Sequence, residues 1–112
     1  MALGYSLEAF ALPPNVVGFI CDKSTYARRG VSAFNTLFDP GFIGHGTLEL
    51  VNHGIDPIEL LSGDPICQMV FYWLDVSTDR PYSGKFQHQP ARVVGARLEQ
   101  PDGTYIEHGA KS

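Results

Sequence analysis

The ten residues CDKSTYARRG, positions 21–30, concentrate donor groups directly after an apolar run. Lys23, Ser24 and Arg28 would lie around the first turn of a helix that begins here, because residues four apart share a helix face. The free N–H groups of such a turn, together with these side chains, would make an anion site. A surface turn with solvated cations explains the same residues, and their spacing leaves both interpretations open.

Glu49 lies in the segment GTLELVN, residues 46–52, whose alternation is typical of a strand. Leu48 and Leu50 point to one face, and Glu49 points to the other together with Thr47 and Val51. A glutamate that faces solvent is ordinary on a strand, whereas one that faces a closed pocket can act as a general acid and base.

The segment DPGF, residues 39–42, has the residue types of a tight turn. Asp39 suits the first position, and Gly41 permits the positive φ that such a turn requires. Turn chemistry alone explains the segment, but Phe42 can also form the wall of a base or sugar pocket.

The segment PYSGKFQHQ, residues 81–89, reads as a loop with donors. Tyr82, Lys85 and Gln89 offer a hydroxyl, an ammonium and an amide, which all suit phosphate oxygens. Because loops are generally polar, this signal is weak by itself.

Short strands must position these residues. Twelve glycines and eight prolines divide the chain into segments that are typical of strands and turns. Strands are predicted at residues 15–21, 45–53, 56–61, 65–76 and 91–99. A helical turn is predicted at residues 24–31, with Ser24 as its cap and Gly30 as its end.

The segment ICQMVFYWL, residues 66–74, is almost continuously apolar and is predicted to be a central strand with two buried faces. Its bulk is large for a small domain, which indicates burial against another subunit. We therefore expect one all-β domain over residues 1–112, with a core at about 3–98 and at most one short helix. The polar tail, residues 99–112, is expected to be partly disordered.

The composition excludes several classes of protein. The chain has 112 residues, of which 44% are hydrophobic and 18% charged, as expected for one globular domain. A net charge of −4 argues against nucleic-acid binding, which usually needs a basic stripe. No apolar run approaches the ~20 residues of a membrane helix, and the N-terminal residues do not resemble a signal peptide.

Cysteine and histidine spacing gives no sign of a metal site. Cys21 and Cys67 lack C-x-x-C spacing, so we expect free thiols and a cytoplasmic protein, with a disulfide as the alternative. The four histidines have no H-x-x-x-H or H-E-x-x-H spacing, and the zinc deaminase signature, H-x-E followed by P-C-x-x-C, is absent. The phosphate-binding patterns G-x-x-x-x-G-K-[ST] and G-x-G-x-x-G are absent too.

Taken in order, these segments resemble motifs of the dCTP deaminase family, within the trimeric dUTPase-like superfamily. DKSTYARRGV matches [KR]-S-[ST]-x-A-R-x-G, and FDPGFIGHGTLELVN matches I-D-P-G-[FW]-x-G-x-x-T-L-E-[LF]-x-N. PIELLSGDPICQMVF matches P-x-x-L-x-x-G-x-x-I-x-Q-x-x-F, and PYSGKFQHQ matches P-Y followed by K-[YF]-x-x-Q. LGYSLEAFALPPNVVGFI resembles the family's entry into its core, so the similarity covers about residues 3–89.

The resemblance implies zinc-independent, hydrolytic deamination of dCTP to dUTP, or onward to dUMP, with release of ammonia. Glu49 would be the general acid and base, while Arg28 and Ser24 would hold the base, the water and the developing tetrahedral centre. Asp39 would contact the deoxyribose, with Phe42 packing nearby. The triphosphate, which brings Mg²⁺ with it, would be bound by Lys23, Tyr82, Lys85 and Gln89.

The resemblance also implies a fold and an assembly. The fold would be a distorted β-barrel or jelly roll of the β-clip type, and the protein would be a homotrimer with sites between subunits. Family members usually have a longer N-terminal region before the LGYSLE strand, so this chain resembles a short form that lacks most of it.

Two other functions remain open. A dUTP pyrophosphatase (dUTPase) would depend most on Asp39, but a Gly-rich C-terminal motif such as G-G-F-G-S-T-G is missing, and Phe42 stands where that family has Tyr. A non-catalytic nucleotide-binding homologue would not need Glu49. The presence of Ser24, Arg28 and Glu49 together favours the deaminase.

Overall fold

The computed structural model describes residues 1–108, which form eight strands and one short helix. In chain order these elements are β1 (Ala2–Ala11), β2 (Val16–Asp22), α1 (Ser24–Ala27), β3 (Val31–Ala33), β4 (Leu37–Phe38), β5 (Ile43–Asn52), β6 (Cys67–Trp73), β7 (Ala96–Glu99) and β8 (Tyr105–His108). The prediction of an all-β fold with at most one short helix is confirmed over these residues. Within the same range, no helix has the length and apolar character needed to cross a membrane.

The core lies between two three-stranded antiparallel sheets. Their strand orders are β1-β5-β3 and β4-β2-β6, while β7 and β8 form a separate hairpin. The buried apolar residues that pack together are Leu12, Val16, Ile20, Ala33, Phe38 and Phe42. Over residues 1–108 the three sheets do not close on one another, so a closed barrel stays a prediction.

The two faces of β5 have different surroundings, as the alternation predicts. Leu48 and Leu50 pack on the core, whereas Thr47 and Glu49 line a cavity on the other side. Glu49 lies opposite Leu3 of β1, and this pairing sets the register. Register determines the face on which the carboxylate emerges, because a slip of one residue would turn it into the core.

The strand β6 lies at the edge of its sheet, so the prediction of a central strand was wrong. It pairs with β2, which is the central strand. Met69 packs on the core, but Tyr72 and Trp73 are 55% and 77% exposed. A continuous apolar run indicates that both faces of a strand are apolar, and it does not distinguish a central strand from an edge strand with one uncovered face.

Two further segments differ from the sequence-based prediction. Residues 56–61 do not form a strand, and Pro57 lacks the N–H donor that pairing requires. The strand predicted at 91–99 is limited to β7, because Gly95 N–H donates to the Glu107 side chain at 3.1 Å instead of to a strand. In the tail, residues 105–108 pair with β7, while residues 109–112 lie outside the described residues, so partial disorder of the tail stays a prediction.

The helical turn is present as α1, but Ser24 is not its cap. Lys23 occupies the N-cap position and makes no side-chain hydrogen bond to the helix, since an ammonium has no acceptor. Asp22 accepts Ala33 N–H at 2.8 Å, which holds the chain in β2 until the helix begins at Ser24. The helix ends at Ala27 with Arg28 as its C-cap, so the prediction of Gly30 as its end was wrong, and Gly30, at φ 83°, ends the turn that follows the helix.

Cys21 and Cys67 are free thiols, as expected. Cys21 pairs with Gln68 and Cys67 pairs with Asp22 across β2 and β6, so the two thiols leave the sheet on opposite faces. Burial, and then the carboxylates of Glu8 and Asp22, raise the pKa of the Cys67 thiol. This thiol is therefore less reactive than an ordinary exposed cysteine.

Candidate active site

A cavity of about 860 Å³ opens beside β5, on the face opposite to the core. Its walls come from β1, residues 36–39, β5, the 81–89 loop and the β7–β8 hairpin. We name it the Glu49 cavity. Five of the predicted site residues line it: Asp39, Phe42, Glu49, Tyr82 and Gln89.

Glu49 is half-buried in the middle of β5 and is oriented by Thr36. Thr36 Oγ1 lies 3.2 Å from Glu49 Oε2 and 3.3 Å from the Phe34 carbonyl oxygen, so its one proton is shared between these two acceptors. One hydroxyl donor orients a carboxylate without neutralising its charge. An oriented carboxylate at the wall of a cavity is suited to taking up and giving back a proton.

The DPGF segment forms the predicted turn and places an aromatic wall. Phe42 N–H donates to the Asp39 carbonyl at 3.0 Å, and Gly41 has φ 89°. The Phe42 side chain is 5% exposed, and its ring centroid lies 5.0 Å from that of Phe38 and 5.9 Å from that of Tyr82. This packing fixes a flat apolar surface against which a base or sugar can lie.

Two glycines let the 81–89 loop approach this wall. A Cβ atom on Gly41 would lie 2.5 Å from Pro81 Cβ, and one on Gly44 would lie 2.5 Å from the Gln89 backbone nitrogen. Both glycines have positive φ, 89° and 133°, which other residues rarely adopt. The loop therefore packs directly on the backbone of the turn and of β5.

Hydrogen bonds within the protein hold the two polar side chains of the loop that line the cavity, Gln89 and Tyr82. Gln89 is 8% exposed, and its Oε1 accepts a hydrogen bond from Thr47 Oγ1 at 2.9 Å. The Tyr82 hydroxyl accepts Phe86 N–H at 3.0 Å. These contacts fix the amide and the phenol before any ligand arrives.

Gln87 is a structural residue of the site that sequence reasoning missed. Its Oε1 accepts Ile43 N–H at 2.7 Å, and its Nε2 donates to the carbonyls of Gly41 and Tyr82 at 2.9 Å each. One side chain thus joins β5, the turn and the loop. In sequence, nothing distinguishes it from a solvated glutamine in a polar loop. The cavity residues Thr36 and Phe86 are also absent from the prediction.

The β7–β8 hairpin supplies a further wall, through Val94, Gly95 and His108. Arg92 donates two hydrogen bonds to Glu107, at 2.9 and 3.2 Å. These bonds, and then the one from Gly95 N–H, lower the pKa of Glu107 to about 2. The motifs end at Gln89, so they gave no indication that this hairpin borders the site.

Four predicted residues do not line the Glu49 cavity: Lys23, Ser24, Arg28 and Lys85. Ser24 and Arg28 are exposed in and directly after α1. Lys23 Nζ lies 3.4 Å from Thr25 Oγ1. Lys85 Nζ lies 5.7 Å from the centroid of the Phe86 ring, which does line the cavity.

The carboxylates that line the cavity are those of Asp39 and Glu49. In the part of the chain that the structure describes, no three His, Cys, Asp or Glu side chains are grouped to hold a metal ion.

Comparison with known proteins agrees with the motifs. A family model described as dCTP deaminase-like matches residues 1–74. The chain belongs to the dCTP deaminase-like family. The dCTP deaminase-like segment contains Asp39, Phe42 and Glu49, and it ends before the 81–89 loop.

The relatives that carry the name of this family are longer than this chain. A protein of Aquifex aeolicus named "dCTP deaminase, dUMP-forming" is 41% identical over 101 residues, which are 89% of this chain and 56% of the relative. A dCTP deaminase of Campylobacter jejuni is 38% identical over 79% of this chain and 49% of its own length. One of Pyrococcus horikoshii is 36% identical over 86% and 62%. The chain thus spans about half the length of the curated relatives it matches.

Proposed function

We propose that the protein deaminates dCTP hydrolytically, giving dUTP and ammonia, with Glu49 as the general acid and base. The observation that carries the proposal is the position of Glu49 in the wall of the Glu49 cavity, where Thr36 orients its carboxylate. Membership of the dCTP deaminase-like family and the names of the relatives support dCTP as the substrate.

The proposed reaction consumes one water and releases one ammonia. Glu49 takes a proton from the water as its oxygen attacks C4 of cytosine, and it passes this proton to ring nitrogen N3 as the C4–N3 double bond opens. Glu49 then takes the proton of the new C4 hydroxyl and gives it to the exocyclic nitrogen, so the C4–N4 bond breaks and ammonia leaves as the C4 carbonyl of uracil forms. One carboxylate can serve both steps, because it returns to its ionised form after each transfer. This scheme assigns the proton transfers to Glu49 and is independent of zinc.

The walls of the cavity suit a deoxynucleotide. Asp39 would contact the deoxyribose, and the packed ring of Phe42 would lie against the base or sugar. The triphosphate would bring Mg²⁺ with it, coordinated mainly by phosphate oxygens. The protein groups proposed for the triphosphate are Lys23, Tyr82, Lys85 and Gln89.

The remaining catalytic residues require an assembly. We expect a homotrimer in which Ser24 and Arg28 of one copy complete the cavity of another, where they would hold the base, the water and the tetrahedral centre. Leu37 and Tyr72, 50% and 55% exposed, support an assembly through the outward face of the β4-β2-β6 sheet. The radius of gyration of 15.2 Å also exceeds the roughly 13 Å expected for a globular chain of this length. Native mass spectrometry should detect three chains, and a stable monomer would contradict this arrangement.

The product is either dUTP or dUMP, and the name of one relative is a reason to test for dUMP. The Aquifex aeolicus protein is named dUMP-forming. If the onward step occurs here, a second water attacks the triphosphate and pyrophosphate leaves, with the Asp39 carboxylate beside the sugar and that water.

The test is to incubate the purified protein with Mg²⁺ and dCTP, and separately with dUTP, while ammonia and pyrophosphate are followed together. Ammonia without pyrophosphate identifies a deaminase that stops at dUTP, and both products from dCTP identify the dUMP-forming reaction. Pyrophosphate from dUTP alone would replace the proposal with a pyrophosphatase. Absence of both products, with nucleotide still bound, would mean that the chain binds without catalysis.

A further inference from the structure

Arg97, which lies beyond the motifs, connects the β7–β8 hairpin to the 81–89 loop. Its guanidinium Nη1 donates a hydrogen bond to the carbonyl of Lys85. Its Cζ atom lies 5.7 Å from the centroid of the Phe86 ring, and Lys85 Nζ lies 5.7 Å from the same centroid. One ring thus has two cations beside it, and that ring lines the Glu49 cavity.

Over residues 1–108 neither Arg97 nor Lys85 forms a direct ion pair, although the charge of Arg97 contributes, after Arg92 and Gly95, to the lowered pKa of Glu107. Arg97 is paired across the hairpin with Glu107, but the hydrogen bonds of the Glu107 carboxylate come from Arg92 and Gly95. Over residues 1–108 the ion pair that forms is Arg92–Glu107. Two positive charges beside one ring favour an anion bound near them.

The contact of Arg97 falls in the middle of the loop, between the positions that β5 and the DPGF turn hold. Tyr82 N–H donates to the Pro40 carbonyl, Gln87 is bound to Ile43, and Gln89 is bound to Thr47. The Lys85 carbonyl is held from the hairpin instead, by Arg97. Loss of this bond would free the backbone of Lys85 while the two ends of the loop stay in place.

We propose that Arg97 is a positioning residue for the phosphate-binding side of the Glu49 cavity, acting through Lys85 and Phe86. It orients the Lys85 backbone, and therefore its ammonium, toward the polyphosphate of the ligand. The identity of that ligand as a nucleotide triphosphate rests on the function proposed above.

The experiment compares R97M, K85M and the double variant with R80M as control, which removes an exposed guanidinium that does not line the cavity. Two quantities are measured: KM and kcat for dCTP, and the Kd of inorganic tripolyphosphate by calorimetry. R97M should raise KM and Kd about tenfold, with kcat within about twofold, because ground-state phosphate binding is lost. In the K85M background, R97M should add less than about twofold, because residues that act through one contact are not additive. R80M should leave both quantities within about twofold of the wild type.

Additive effects of R97M and K85M would overturn the proposal, as would a fall in kcat with unchanged Kd, or an equal effect of R80M. If R97M does not fold, R97K replaces it in the test. Lysine keeps the positive charge but lacks the planar guanidinium, so the Kd of tripolyphosphate should rise severalfold. An unchanged Kd would overturn the proposal. If the wild type does not turn over dCTP, the proposed function fails, yet the tripolyphosphate measurement still decides on Arg97. A wild type that does not bind tripolyphosphate would overturn the role of Arg97 as well.

Discussion

The Glu49 cavity and the exposed turn at residues 23–28 carry residues of the same motif set, but the chain surrounds them differently. Glu49 is half-buried, and both the register of β5 with β1 and the hydroxyl of Thr36 hold it in place. Ser24 and Arg28 are exposed, and the helix that precedes Arg28 has four residues. An exposed arginine keeps its rotamer freedom, whose loss costs up to about 2 kcal/mol. One chain thus builds and orients the cavity, whereas in the 23–28 turn the backbone is hydrogen-bonded but the side chains of Ser24 and Arg28 are exposed to solvent.

The difference indicates which part of the proposed site depends on assembly. A substitution of a cavity residue should reduce the activity of the site in the chain that carries it, because one chain forms the cavity. A substitution in the 23–28 turn should reduce activity only in an assembly, where the turn of one copy reaches the cavity of another. Substitutions in the two regions therefore test separate parts of the proposal.

The largest effect is expected from Glu49→Gln. Gln preserves the size of the side chain and an acceptor for Thr36, but an amide cannot shuttle protons. Ammonia release from dCTP should therefore fall by about 10²–10⁴-fold, the usual contribution of general acid–base catalysis. Binding of dCTP, measured on the same preparation, should remain.

The control for this variant is Glu59→Gln. Glu59 is exposed and is not part of the cavity wall, so its loss should leave ammonia release unchanged. Substantial activity in Glu49→Gln would end the role assigned to Glu49, and loss of activity in both variants would point to a general loss of structure.

Mixing two inactive variants tests whether the regions act across copies. Arg28→Met should be inactive by itself, and so should Glu49→Gln. In the proposed assembly, each site takes Glu49 from one copy and Arg28 from its neighbour. When the two chains are co-expressed in equal amounts and assemble at random, about a quarter of the sites therefore receive both intact residues. Activity measured on the mixed assembly should therefore return to about a quarter of the wild type. Mixed assemblies that form but stay inactive would place both residues in a single chain's site.

The sequence predicted the faces of β5 and the turn before it well, because both depend on local rules. Alternation sets the side on which Glu49 emerges, and the DPGF turn requires positive φ at Gly41. Five of the predicted residues meet in the cavity for this reason: their segments are each locally determined, and the close approach at Gly41 and Gly44 packs them together.

The remaining errors concern partners that are far away in sequence. The apolar run of β6 indicates two apolar faces, and only the pairing with β2 reveals that it is an edge strand. In the β7–β8 hairpin, Glu107 is bonded to Arg92 and Gly95, a long-range contact that no local sequence pattern indicates. Thr36 was missed for the same reason, since its hydrogen bond to Glu49 spans 13 residues.

Thr36→Val tests how much the orientation of Glu49 contributes. Valine has the same shape but cannot donate, so the carboxylate loses its single protein donor within residues 1–108. Hydrogen bonds to charged groups contribute about 1.5–3 kcal/mol. This bond is 3.2 Å long and half-buried, so its contribution should be at the low end of that range. The kcat should therefore fall by about tenfold. Thr78→Val, whose hydroxyl accepts Arg80 N–H in an exposed turn, is the control and should keep its kcat. An unchanged kcat in Thr36→Val would mean that the cavity orients Glu49 by other means.

The smallest effect is expected on stability, from the ion pair in the hairpin wall of the cavity. Hydrogen bonds from Arg92, and then from Gly95 N–H, lower the pKa of Glu107 from its ordinary 4.5 to about 2. The unfolded chain therefore binds this proton more readily than the folded protein, so the contact stabilises the fold above about pH 4.5 and is lost as the pH falls toward 2. Since the two side chains are 52% and 26% exposed, solvent screening keeps the gain small.

Melting curves of the wild type, Glu107→Gln and Glu99→Gln between about pH 7 and about pH 2.5 measure this contribution. Glu107→Gln should melt slightly below the wild type at neutral pH, and the difference should shrink as the wild-type carboxyl takes up its proton. Glu99→Gln, on the same hairpin, should follow the wild type throughout. A difference between Glu107→Gln and the wild type that stays constant with pH would mean that the hairpin is held by packing rather than by this charge. The hairpin wall would then resemble the rest of the cavity, in which backbone approach and buried contacts fix the geometry, and electrostatics would matter chiefly at the 23–28 turn.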